Sequence, residues 1–426
     1  MFVPRCWIPA SLAAPFLVTL LLATPAVAPA AAPPGKTAPL ATFSLSSGDR
    51  VVLLGGTFIE RDQTHGYLET VLTSRFHQAG IPFRNLGWSG DNVFGEARAG
   101  FGTVADGFAQ LKGHLAAVNP TIILLNYGAN ESFAGKAGLA PFQAGLDVLL
   151  AALDETKARI VFLSPLYHED LGRPLPDPKE HNRNLKLYSD AIAAVAARRG
   201  ELFVNLYELL GTKFPMARGP LTDNGIHLTA YGYWLAAPTI EQALGLNPRR
   251  WRIEIDTRQR NISASGTTIS HASFAPTQIS FEALDGQLPL PPAPLGSSPA
   301  AVAAQGQRVL RVYDLPAGNY VLKIVGEEVA QVNAQQWAAG VTIDRGPDLA
   351  QAENLRRTIV DKNQLYFYRW RPQNETYLFG FRKHEQGNNA VEIPQFDPLV
   401  AEREAEIRAL CAPVAREYQI IQVDAK

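Results

Sequence analysis

The chain has 426 residues, of which 19% are charged, and a formal net charge of −1. It is long enough for two compact domains, and it lacks the basic stripe that nucleic acid demands. Two cysteines and eight scattered histidines give no zinc-type spacing, so neither a metal nor any other cofactor is expected.

The first stretch reads as an export signal over residues 1–32. Arg5 supplies the positive start, Leu12 to Leu22 the apolar run, and "ATPAVAPAAAP" the small-residue cleavage sites near Ala28 or Ala32. The run is shorter than the roughly 20 residues a membrane span needs, so cleavage is expected rather than anchoring, with no span in the mature chain. The expected location is the periplasm or the exterior of a bacterium. Only Cys411 then remains, which rules out an internal disulfide and leaves stability to packing.

From residue 45 to residue 246 short apolar runs alternate with helical spacing. "VVLL" (51–54), "FRNLGW" (83–88), "TIILLNY" (121–127), "RIVFLSP" (159–165) and "LFVNL" (202–206) have the near-continuous apolarity of strands buried on both faces. Stretches such as "VADGFAQLKGHLAAV" and "FQAGLDVLLAALDETKA" lie between them, and a helix after Tyr231 closes the domain. Strand followed by helix, repeated, implies right-handed crossovers and a parallel sheet covered on both faces. Residues 250–345 then carry period-two strands ("WRIEID", "QISFEA", "RVLRVYDL", "NYVLKIVG") interrupted by "QLPLPPAPLGSSP", a small antiparallel β module. Residues 346–420 return to helical spacing through "LAQAENLRRTIVDKNQLYFYRW" and a last helix near Pro398 to Leu410.

Ligands of such sheets bind beyond the carboxyl ends of the strands. There the sequence places Gly55-Gly56-Thr57 after strand one, "GWSGDN" with Gly90 after strand two, and "YGANES" with Asn130 after strand three. Downstream, "LTDNGIHLTAYGYW" sets His227 just before the closing helix. Small residues and one amide could pool N–H donors around an oxyanion, and an imidazole beside an acid can titrate near neutrality. Alternatively, Thr57 caps the first helix, Asn130 satisfies its own loop, and the glycines only make turns. Ser89 and Ser132 are alternative hydroxyls, expected to bond their own turn and to cap a helix. The glycine-rich "GWSGDNVFGEARAGFG" lacks the spacing of a nucleotide loop.

In these four blocks, over about residues 48–245, the chain resembles the SGNH/GDSL hydrolase superfamily. The resemblance implies a three-layer α/β/α, flavodoxin-like parallel sheet and hydrolysis of ester bonds, often deacetylation of carbohydrates in exported members. It sets Thr57 at the nucleophile position, where the family has serine, and His227 at the general base. Gly90, Asn130 and the Thr57 N–H fall at the oxyanion hole. Where the family reads Asp-x-x-His, this chain has Asn224, with Asp223 one place further out. Two functions follow: an exported esterase acting on a small-molecule or glycan ester, or a catalytically impaired relative that binds glycan or serves assembly.

One more segment carries candidates. "YFYRWRPQNETYLFGFRKHEQGNN" mixes aromatic rings with Arg371, Asn374 and His384, a combination suited to a sugar or another polar ligand and equally to interdomain packing. It is expected to fold back as a wall of the His227 cleft.

Overall fold

The continuous apolar strands become the middle layer of an α/β/α sandwich. In this computed structural model residues 43–212, 219–297, 308–385 and 389–423 are described; the export signal read over residues 1–32 lies outside them. In chain order the first domain contains β1 (Val51–Gly55), α1 (Thr57–Asp62), α2 (Tyr67–Arg75), β2 (Phe83–Asn85), α3 (Val104–Val118) and β3 (Ile122–Asn126). It continues with α4 (Leu139–Asp154), β4 (Arg159–Leu163), α5 (Lys179–Arg199), β5 (Leu202–Val204) and α6 (Ala230–Ala243).

All pairings in this sheet are parallel, in the order β2-β1-β3-β4-β5. Alternate residues of one strand serve opposite cores. Val51 and Leu53 of β1 join Leu68, Leu72 and Tyr233 on the α2/α6 side, while Val52 and Leu54 join Leu111, Phe142 and Leu149 on the α3/α4 side. Two buried faces explain why these strands show no polar alternation. The helical stretch Glu131–Asp154 is long and apolar enough to cross a membrane. Its stripe Phe142, Leu146, Leu149, Leu150 and Leu153 is buried in the α3/α4-side core, as covering a sheet requires.

The strand order reverses between β1 and β3, the switch point where a crevice opens at the carboxyl ends. At this edge Gly55 is held so close to β3 that a Cβ there would sit 2.2 Å from the Asn126 carbonyl oxygen. Any larger residue would push Thr57 away from the sheet rim.

The second half contains β6 (Trp251–Asp256), β7 (Asn261–Ser265), β8 (Thr267–Ala275), β9 (Gln278–Asp285), β10 (Arg308–Tyr313), β11 (Asn319–Ile324), β12 (Glu327–Asn333), α7 (Ala334–Ala339) and β13 (Val341–Thr342). Then follow α8 (Pro347–Trp370), the single turn α9 (Glu375–Leu378), α10 (Phe396–Leu410) and β14 (Arg416–Val423). The strands form two sheets, β13-β10-β6-β7 and β12-β11-β14-β9-β8, which share one core around Trp337, Phe281 and Tyr418. All their pairings are antiparallel except β6 with β10. The chain end corrects the sequence reading. Residues 416–420, expected within a helical segment, belong to β14, which fills the gap between β9 and β11. The alternation of buried Tyr418 and Ile420 with more exposed neighbours is the period-two signal of that strand.

Helix α8 is fastened to the first domain by charge. Lys362 is fully buried and donates to both carboxylate oxygens of Glu69 at 2.7 and 2.9 Å and to the Phe83 carbonyl at 3.0 Å.

Candidate active site

Thr57 is the first residue of α1; the cap position is Gly56, and no side chain caps the helix. The capping role considered for Thr57 is therefore not the one it fills. Thr57, Asn130 and His227 line one pocket of about 80 Å³, together with Gly56, Asp91 and Tyr127. Phe133, Leu166, Tyr167, Leu185 and Ile226 supply most of its apolar wall. Loops after β1 and β3 and the loop before α6 thus meet at one rim of the parallel sheet.

The Asn130 wall is tightly built. Its amide donates to the Asp91 carbonyl at 2.6 Å, which leaves the second N–H of that amide to offer. Glu131 holds the same two loops, accepting from the Val93 N–H and the Gly128 N–H at 2.9 Å each. Burial pushes its carboxyl above the ordinary range. Beneath lies a buried ion pair: Arg98 donates to Asp91 at 2.6 Å and to the Leu86 carbonyl at 2.8 Å, and Tyr127 donates its hydroxyl to the same Asp91 oxygen at 2.9 Å. Burial pushes the Tyr127 phenol far up, so it stays protonated as a donor. Gly90, expected to line the oxyanion hole, is solvent-exposed with φ +81° and is absent from the pocket lining, which Asp91 enters instead.

The His227 wall is wired differently. The Asn224 side-chain oxygen accepts from the backbone N–H of His227 at 2.9 Å and of Ile226 at 3.2 Å. Only an oxygen can accept these bonds, so the amide NH₂ must face the ring, 3.0 Å from Nδ1. Nδ1 accordingly accepts, and in the neutral ring the proton resides on Nε2. The carboxylate one place out does not reach the imidazole. Asp223 bonds Arg61 at 3.0 Å on the exposed surface, which removes it as a substitute for the family aspartate. Burial, then the Arg61 charge, lower the His227 pKa, while Asp223 raises it.

Sequence reasoning missed a third feature of the pocket. His181, at the start of α5, lies in its wall under the stacked Phe133 ring, 4.1 Å between centroids. His181 Nε2 is 2.9 Å from the Ser132 hydroxyl, and its Nδ1 is 2.9 Å from His168 Nδ1. Ser132 donates to the Ala129 carbonyl at 2.6 Å, so its oxygen accepts from His181 Nε2–H, and His181 Nδ1 accepts from His168. Ser132 is fully buried in this chain, which excludes it as an accessible nucleophile. Burial first, then the neighbouring His168, push His181 down to about 4. Ser132 was a candidate from its loop, but His168 and His181 carry no local signature, and nothing in the sequence pattern pointed to them.

Of the aromatic-segment candidates, Arg371 reaches a different cavity, of about 520 Å³, whose wall includes Trp88. Asn374 and His384 are exposed and occur in the lining of neither cavity. The segment therefore does not wall the His227 pocket: Arg371 is drawn instead to Glu60, 2.8 Å away, and to the face of Trp88, 3.6 Å away. Among the described residues no group of three or more His, Cys, Asp or Glu is placed to hold a metal ion.

Residues 47–235 match the model of the GDSL-like lipase/acylhydrolase family. No curated protein sequence matches the chain. Among solved structures, a gut microbial diltiazem-metabolizing enzyme is 19% identical with a TM-score of 0.69, over 89% of this chain and 99% of its own. At that identity the likeness is one of fold, and it extends through both β sheets and the C-terminal helices. A catalytic mutant of an acetylxylan esterase from Geobacillus stearothermophilus is 20% identical over 48% of this chain and 98% of its own, with a TM-score of 0.38. An α/β hydrolase enzyme from the metagenome of Lake Arreo, Spain, is 20% identical over the same shares, 48% and 98%, with a TM-score of 0.37.

Proposed function

Residues 47–235 belong to the SGNH/GDSL superfamily, and from that premise we propose that the protein is an exported hydrolase of short-chain acyl esters, with a carbohydrate as the acyl carrier. The observation that carries the reading is the convergence of Thr57, Asn130 and His227 on one small, largely apolar-walled pocket. About 80 Å³ suits an acyl group of few carbons rather than a long chain.

In this reading the Thr57 hydroxyl attacks the ester carbonyl. The Asn130 amide and the N–H groups at the start of α1 stabilise the oxyanion. His227 takes the hydroxyl proton and passes it to the alcohol that leaves as the ester bond breaks, and water then hydrolyses the acyl-threonine to release the acid. The chemistry is slow by construction. A threonine methyl restricts χ1 and crowds the attack, and a ring with its proton on Nε2 must change tautomer before it can accept one from Thr57. In serine proteases the equivalent Asp-to-Asn change lowers turnover about 10⁴-fold, through the same tautomer.

The diverted Asp223 and the Asn224–His227 bond favour a second reading, in which the cleft binds an acylated ligand without turning it over. Turnover of p-nitrophenyl acetate and of acetylated xylo-oligosaccharide by the purified chain, beside Thr57→Ala and His227→Ala, separates the two. The esterase reading expects loss of activity in both variants. Activity equal to wild type in both removes it, and no activity in any form leaves the binding reading.

A further inference from the structure

The Trp88–Asp91 turn has a cavity on each account: Asp91 lines the Thr57 pocket, and Trp88 lines the larger cavity of about 520 Å³. That volume lies within the range of about 300–1,000 Å³ typical of small-molecule sites. It is enclosed by α3, the edge strand β2, the end of α8, and α10.

Its charged groups are fixed before any ligand arrives. Arg84 donates to Glu404 at 2.5 Å and lies 4.8 Å from the Tyr366 ring centroid. Arg369 donates to Asp397 at 2.8 Å, and Arg371 donates to Glu60 at 2.8 Å. A guanidinium has five N–H donors and a carboxylate about four acceptor positions, so each pair keeps spare donors and acceptors in a set geometry. Phe379, 51% exposed, adds an apolar ring to the wall.

The charge balance decides between ligand classes. The lining arginines 50, 84, 369 and 371 are offset by Glu375, Asp397 and Glu404 in the lining and by Glu60 behind Arg371. A phosphate or polyanion meets no net positive field there. A purely apolar ligand would strip water from the charged pairs without replacing their hydrogen bonds. A neutral molecule with many hydroxyls and apolar faces satisfies both the paired charges and the ring.

We propose that this cavity binds a neutral oligosaccharide. Glu60, which holds Arg371 in its wall, lies three residues beyond Thr57 on α1, and such positions are about 5–6 Å apart between Cβ atoms. The Arg371 end of the cavity is therefore the end on the Thr57 side, with Arg371 and Glu60 standing between a saccharide there and the ester chemistry. The inference supplies the carrier for the reading above and rests on that reading only for this role.

The test is a titration of intrinsic tryptophan fluorescence, which Trp88 and Trp370 in the cavity wall would report, using the full chain and no turnover. The probes are xylohexaose, cellohexaose and chitohexaose, with polygalacturonate as the anionic control. Saturable binding of at least one neutral hexaose is expected, weakened about tenfold or more by Phe379→Ala and by Asp397→Ala in variants with unchanged near-UV circular dichroism. Thr57→Ala is expected to bind as wild type does, so a failed esterase reading would leave this result standing. No saturable response to any of the three hexaoses overturns the proposal. So does equal affinity in both cavity variants, or response to polygalacturonate alone.

Discussion

The two walls of the Thr57 pocket differ in what their carboxylates do. On the Asn130 side, Glu131 and Asp91 point inward and spend their charge on backbone N–H groups, Arg98 and Tyr127, fixing the loops that would hold an oxyanion. On the His227 side, Asp223 points outward to Arg61, and a neutral amide takes the place beside the imidazole. The two walls are therefore built independently: the Asn130 wall keeps its carboxylates on the loops, while the His227 wall has turned its carboxylate away from the imidazole.

Putting charge back on the altered wall should have the largest effect. Asn224→Asp places an acceptor against Nδ1, moves the ring proton there and frees Nε2 to act as base. Ester turnover should rise by up to about 10⁴-fold, the reverse of the loss seen when a serine protease loses its aspartate. Steady-state kinetics on p-nitrophenyl acetate would measure it; unchanged kcat would show that the tautomer does not limit the rate. Next in size is the opposite wall. Arg98→Ala strands the buried Asp91 carboxylate, and chemical denaturation should show a loss of about 3–5 kcal/mol.

Asn130→Ala should lower kcat by about 10²–10³ with a smaller change in KM, because the amide acts on the oxyanion more than on the ground state. A smaller effect lies just beyond α1's first turn. Burial, with Glu69 adding repulsion, raises Asp62 from 3.8 to about 7. Its contribution is complete below the unfolded value of 3.8 and is lost as pH rises through about 7. Asp62→Asn should therefore lie close to wild type near pH 4 and exceed it in stability near pH 8, read from melting temperatures across that window. Smallest is Arg61→Ala. Removing a charge that depresses the His227 pKa should move the acid limb of the pH–rate profile to higher pH.

The same contrast explains what the sequence could reveal. Strands β1 and β3 were legible because burial on both faces leaves an unbroken apolar run, and that placed Thr57 and Asn130 at the rim. Strands β7 and β8 were missed because their residues are mostly exposed and polar, so pairing rather than burial holds them. Strand β14 follows a long helical stretch, yet it completes a sheet begun more than a hundred residues earlier. At the site, residue types with family positions could be located, but the direction of a side chain could not. Asp223 and Asn224 adjoin in sequence, and only the Arg61 contact and the two backbone N–H bonds determine which of them meets His227. The imidazole pair His181 and His168 depends on how the segment after β4 folds against the start of α5, and its bond to Ser132 on how α5 meets the segment after β3.

Nitrogen-15 NMR of the His227 imidazole near neutral pH tests the central claim most directly, because the two ring nitrogens report separately on which of them carries the proton. In the wild-type chain the proton is expected on Nε2 with Nδ1 bare, and in Asn224→Asp the positions are expected to exchange. A wild-type ring already protonated on Nδ1, with Nε2 free, would contradict it.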